Sequence, residues 1–188
     1  RPLTPSAPLK EEPPVISPFS DDGGAKFKRG RLTHRLLQCL PDLPGDFRFE
    51  AARTYLARPA HDLSLEEQAE IAAEVLAILG HADFAALFGP GSRAEVSLIG
   101  DVSGTVISAQ IDRLLVTDRA VIVIDYKTNR LPPAAVDEVP AIYLAQMAAY
   151  RAALRRIYPD RPVRCLLLWT ANADLMALPE PLLDRYAP

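Results

Sequence analysis

Two Val- and Ile-rich runs, 107–116 and 121–127, flank the turn Thr117-Asp118-Arg119-Ala120. A period of two on both sides of a short polar turn dictates an antiparallel hairpin. With Asp118 and Arg119 at the centre of the turn, Asp112 falls opposite Asp125 and Gln110 opposite Lys127. Directly opposed residues have Cβ atoms about 4.5–5.5 Å apart, and two aspartates at that separation repel unless a cation lies between them. Lys127 shares the face of Asp125, among the apolar side chains of Leu114, Val116, Val121 and Val123. One reading is a hard divalent cation, Mg2+ or Mn2+, held by carboxylate oxygens. The lysine would then face a developing phosphoryl charge or the attacking water. The other reading is a salt-bridged strand end, with Asp125 paired to Lys127 or Arg113. The hairpin alone leaves both open.

The flanking sequence sets the fold class. Leu32, Leu36, Leu37 and Leu40 recur at helical spacing and predict a helix over 30–40, stopped by Pro41. Further helices are predicted over 47–57 and 65–79. The second has a capping box in Ser64 and Glu67 and a stop at Gly80. A short helical stretch over 82–88 ends at Gly89-Pro90-Gly91. The period then changes to two, giving strands over 94–99, 102–116 and 121–127. A helix over 141–157, a buried strand over 164–170 and an irregular or briefly helical tail over 179–188 complete the chain. Helices, then a meander, then a helix and a strand imply an α/β fold (an α+β mixed sheet) with a helical N-terminal part.

Residues 1–25 differ in texture. Pro2, Pro5, Pro8, Pro13, Pro14 and Pro18 punctuate them, and they read as an extended linker ahead of a domain over 26–188. The chain opens with Arg1 rather than Met, which fits a piece of a larger protein. At 188 residues it is long enough for one real core. Its net charge of -3 excludes a globally basic nucleic-acid binder but not local basic patches. Two cysteines, Cys39 and Cys165, exclude a disulfide framework and a four-cysteine iron–sulfur cluster. They read as reduced, buried thiols of a cytoplasmic protein. No apolar run approaches the roughly 20 residues of a membrane span, and no phosphate-binding P-loop is present.

Three strings then fall into one order: Ile111-Asp112-Arg113, Asp125-Tyr126-Lys127-Thr128 and Gln146-Met147-Ala148-Ala149-Tyr150. Upstream of them stands Gly30-Arg31-Leu32-Thr33-His34. Together they resemble the RecB-type PD-(D/E)XK nucleases, with their helical Gly-x-x-x-His, Asp-x-Lys and Gln-x-x-x-Tyr motifs. Within that group the chain is most similar to the C-terminal nuclease domains of AddA-type helicase–nuclease subunits. The stretch from Gly91 to Val96, Leu168-Trp169-Thr170 and the Pro-rich lead-in carry that further likeness. Where the group often has glycine three residues before the first metal aspartate, this chain has Ala109.

The resemblance implies a restriction-endonuclease-like core that hydrolyses DNA phosphodiesters with Mg2+, or Mn2+ in its place, and no iron–sulfur cluster. It implies His34, Asp112, Asp125 and the Tyr126 carbonyl as metal ligands, and Lys127 as the catalytic lysine. Glu95 would orient a metal-bound water or His34, and Gln146 and Tyr150 would meet the site and the DNA backbone. It also implies single- and double-stranded DNA ends as substrates, helicase domains in the same chain and an AddB-like partner subunit. The setting would be double-strand break processing in a bacterial cytoplasm. Two basic runs, Lys26, Lys28, Arg29, Arg31 and Arg35, and Arg151, Arg155 and Arg156, are expected to grip phosphates. The competing expectation is a silent nuclease-like module that only binds DNA or docks a subunit.

Overall fold

The computed structural model describes residues 23–102 and 104–188, with the side chains of 23–27 and 105 outside that set. Apart from residues 23–25, the Pro-rich segment expected over 1–25 lies outside the described residues. The helices are α1 (Gly23–Cys39), α2 (Gly45–Leu56), α3 (Leu65–Gly80), α4 (Ala141–Ile157) and α5 (Glu180–Asp184). The strands are β1 (Ser92–Val102), β2 (Thr105–Val116), β3 (Val121–Lys127), β4 (Val163–Trp169) and β5 (Asp174–Leu178). Short 3-10 turns fill Leu40–Asp42, Pro59–His61, Ala82–Phe88 and Val136–Glu138.

The strands form one sheet in the order β1-β2-β3-β4-β5. β3 and β4 run parallel and are joined through α4, and the other neighbours are antiparallel. The sheet separates two apolar layers. On one side Tyr143, Leu144, Met147, Tyr150 and Leu154 of α4, with Leu182 and Leu183 of α5, cover Ile107, Leu114, Val121 and Val123. On the other, Leu32, Leu36 and Leu37 of α1 join α2 and α3 over Leu115, Ile124, Tyr126 and Leu168. Both faces of the central β3 and β4 are thus largely buried, which explains their near-continuous apolar runs. No single helix among the described residues is long and apolar enough to cross a membrane.

Local chemistry accounts for the helix ends. The Ser64 hydroxyl accepts from the Glu67 N–H at 3.1 Å, and the Glu67 carboxylate accepts from the Ser64 N–H at 2.7 Å. This is the expected capping box, worth roughly 1 kcal/mol. α1 begins at Gly23, before the expected position 30, and yields at Leu40–Asp42 to a 3-10 turn built on Pro41. The expected single strand over 102–116 is two strands. β1 ends at Val102, which pairs with Thr105 of β2, and Gly104 takes φ 83°, which favours glycine. β5 escaped the sequence reading because its five residues carry no clear period, and it pairs only at the sheet edge. Cys165 is buried as expected, and burial pushes its thiol up to about 12, whereas Cys39, also expected inside, is exposed because it falls off the Leu36, Leu37 and Leu40 face of α1. Ellman's reagent at pH 8 is therefore expected to modify Cys39 alone in the folded chain, and both thiols after denaturation in guanidinium.

Candidate active site

The site grows from an irregularity in β2. Ile107 and Ile111 face the α4 layer, and so does Leu114, so the inward positions change from odd to even numbers between them. Leu115 and the Arg113 guanidinium lie on the opposite, α1 side. Asp112 sits at this change of face. The β1–β2 ladder pairs Ala94 with Arg113 and Val96 with Ile111, passing over Glu95 and Asp112. The β2–β3 ladder runs from Val116–Val121 to Arg113–Ile124 and stops there. This is the predicted register, and its next step sets Asp112 opposite Asp125. The expected pairing of Gln110 with Lys127 does not form. Gln110 pairs with Ser97 instead, and the Asp112 side chain takes over where the ladder ends, accepting the Tyr126 N–H at 2.7 Å.

Glu95 has a positive φ of 53°, a costly conformation for a residue with a Cβ. The Gln110 side-chain amide donates to its carbonyl at 2.7 Å and holds that distortion. α1 delivers His34 across the sheet. Gly30, one turn earlier, permits the approach, since a Cβ there would meet Thr128 Oγ1 at 3.2 Å. Arg29 of α1 and Arg130 beyond β3 share Glu70 and Glu74 of α3, which ties α1 and the end of β3 to one support.

Two groups result. In the first, His34 Nδ1 lies 3.2 Å from Asp112 Oδ1, and ligand atoms of His34, Glu95 and Asp112 all lie within 4.8 Å of one another. The second centres on Asp125, whose Oδ2 pairs with Lys127 Nζ at 2.7 Å and whose Oδ1 accepts from Gln146 Nε2 at 2.9 Å. Lys127 Nζ also donates to Gln146 Oε1 at 2.9 Å and stands 3.8 Å from the centre of the Tyr143 ring. Gln146 Nε2 meets the Tyr150 hydroxyl at 2.8 Å, and that hydroxyl donates to the Gln110 carbonyl at 3.1 Å.

Charges inside a protein need such partners. Burial raises Asp112, but the His34 charge and hydrogen bond and the Tyr126 N–H more than offset it, leaving it below the usual carboxylate range. Burial, joined by the Asp112 charge, holds Asp125 above that range against the pull of Lys127. Glu95 is raised by burial and then by Asp112. Burial lowers Lys127, but Asp125 overcomes this and leaves the ammonium above its ordinary value. Burial likewise lowers His34, and Asp112 more than offsets it, raising the imidazole from 6.5 to about 8.

The donor set of one imidazole and two carboxylates could hold a divalent metal ion. The structure thus brings seven of the expected side chains together: His34, Glu95, Asp112, Asp125, Lys127, Gln146 and Tyr150. Tyr126 enters through its N–H, while its ring lies edge-on to His34 with centroids 5.3 Å apart. Glu95, expected only to orient other groups, stands in the donor cluster itself. Tyr143, about one turn before Gln146 on α4, packs in the core and also faces the Lys127 ammonium. Arg113 does not pair with Asp125 and points to the opposite layer.

The basic runs fare less well. Lys28 pairs with Asp62, and Arg29 with Glu70 and Glu74. Arg151 is buried against Glu180 and Asp184, and Arg155 also meets Glu180. In a chain with more acids than bases, four of these eight cations are claimed by carboxylates. Arg31, Arg35 and Arg156 are exposed, and the Lys26 side chain lies outside the described residues.

A family model described as the PD-(D/E)XK nuclease superfamily matches residues 13–177. No curated protein matches the sequence. The crystal structure of SSO0001 is similar at 17% identity, covering 86% of this chain and 82% of that one, with a TM-score of 0.37.

His34 also gives the fold a pH dependence. Its folded-state value exceeds the ordinary 6.5, so the stabilisation is complete below 6.5 and is lost as pH rises through about 8. In metal-free buffer, urea denaturation should show His34→Gln about 1–2 kcal/mol less stable than wild type at pH 6. The gap should close by pH 9.

Proposed function

This chain belongs to the PD-(D/E)XK nuclease superfamily, and we propose that it is a divalent-metal-dependent deoxyribonuclease that hydrolyses phosphodiester bonds. The observation that carries the reading is the meeting of the His34, Glu95 and Asp112 donors with the buried Asp125–Lys127–Gln146 group. His34, Glu95 and Asp112 would hold the cation, with Asp125 and the Tyr126 carbonyl beside them. Such a cation, when bound, polarises the scissile phosphate and makes water acidic enough to attack at neutral pH.

The chain's own groups do the rest. Lys127 presents a fixed positive charge where phosphoryl oxygens gain negative charge, and it needs no reorganisation to do so. Gln146 fixes the lysine through its carbonyl and Asp125 through its amide, and the Tyr150 hydroxyl anchors Gln146. Glu95, in the donor cluster beside Asp112, is placed to orient the attacking water. The exposed Arg31 and Arg35, on the helix that carries His34, offer phosphate contacts without reading bases.

The likeness to AddA-type subunits supports a more specific reading. The domain would cut the 3′-terminated strand at DNA ends delivered by helicase domains of the same chain. It would work beside an AddB-like subunit in bacterial double-strand break processing.

End-labelled single- and double-stranded DNA tests the proposal. Cleavage should require Mg2+ or Mn2+ and stop with EDTA. Lys127→Met should lower it at least about 100-fold while Mn2+ binding stays intact. Asp112→Asn should lose both. A folded wild-type chain that binds DNA and cuts nothing with either metal would overturn the reading in favour of a silent binding module.

A further inference from the structure

Arg113 brings a positive charge into the interior, where it is only 3% exposed. Its partners among the described residues are neutral. Nε donates to the Tyr126 hydroxyl at 2.7 Å, one terminal nitrogen donates to Ser92 Oγ at 3.1 Å, and the other donates to the Leu37 carbonyl at 2.8 Å. The guanidinium also lies 4.7 Å from the centre of the Phe88 ring. A buried guanidinium without a carboxylate is costly, so its neutral acceptors must be held firmly for the arrangement to persist.

The Leu37 contact has a local cause. In a continuing helix the donor to that carbonyl would be the N–H of residue 41, and residue 41 is proline. The last turn of α1 therefore lacks a backbone donor at Leu37, at the negative end of the helix dipole. Arg113 supplies both the N–H and the positive charge. Three residues before Leu37, on the same side of α1, is His34. The second Arg113 contact leads to the same place, because the Tyr126 ring whose hydroxyl it holds stands edge-on to the His34 ring. Arg113 itself follows Asp112 on β2.

We infer that Arg113 is a positioning residue that sets the separation of His34 and Asp112. It clamps the end of α1 and the Tyr126 ring to the strand that carries Asp112. Its consequence for metal binding rests on the site reading above, whereas the clamp does not.

Two measurements test it. In wild type, NOEs should connect the His34 and Tyr126 ring protons. In Arg113→Met they should vanish while the β3 and β4 amides keep their shifts. By titration calorimetry, Arg113→Met should weaken Mn2+ binding about 10–100-fold, yet have no effect in a His34→Ala background. Unchanged NOEs, or the same Mn2+ loss in both backgrounds, would overturn the inference. Should Arg113→Met not fold, Arg113→Lys serves with the same readouts, since one ammonium cannot span Leu37 and Tyr126 together. Wild type that shows the NOEs but binds no Mn2+ would sink the metal-site reading, and the NOE comparison would still decide the clamp.

Discussion

A β-strand that exchanges its faces halfway along cannot keep its ladder intact, and β2 does so at Asp112. Hydrogen-bonding groups left open there must be satisfied by side chains. The Asp112 carboxylate takes the Tyr126 N–H, and the Gln110 amide takes the Glu95 carbonyl. The same local break turns Glu95 into an unusual backbone conformation beside Asp112. The carboxylates of the site are therefore consequences of how the sheet is interrupted, and they cannot shift without reopening it.

That interruption lies between two apolar layers, so the charges it gathers are shielded from water. Low dielectric strengthens each pairing and penalises any group left alone. The response is a closed chain of partners. His34 serves Asp112, and Lys127 serves Asp125. Gln146 and Tyr150 take the remaining valences from α4. Helices on opposite faces of one sheet thus contribute to one polar cluster, and the sheet itself fixes the distance between them.

Much of this was legible in the residues. The turn at Asp118-Arg119 gave the β2–β3 register, and the capping box and α4 bounds followed from side-chain pattern alone. Hairpin register brought out Asp112, Asp125 and Lys127, and the resemblance to a nuclease family added His34, Gln146 and Tyr150. What resisted reading was non-local. The face change at Asp112 depends on packing by α4, and no period announces it. The fates of Arg29 and Arg151 depended on acids far along the chain, Glu74 and Glu180 among them. Arg113 looked like a strand-end charge because its acceptor at Leu37 is set by a proline in another element.

The contact between His34 and Asp112 also bears on when the site comes into being. It joins a residue early in the chain to the middle of the sheet, and Gln146 must arrive from a crossover helix later still. Contacts of such long sequence separation close late, after loop entropy has been overcome by docking of both layers. A partly folded chain, or one still emerging from synthesis, therefore holds the motifs but not the constellation. The meeting of His34, Asp112, Asp125, Lys127 and Gln146 is thus a property of the completed fold alone.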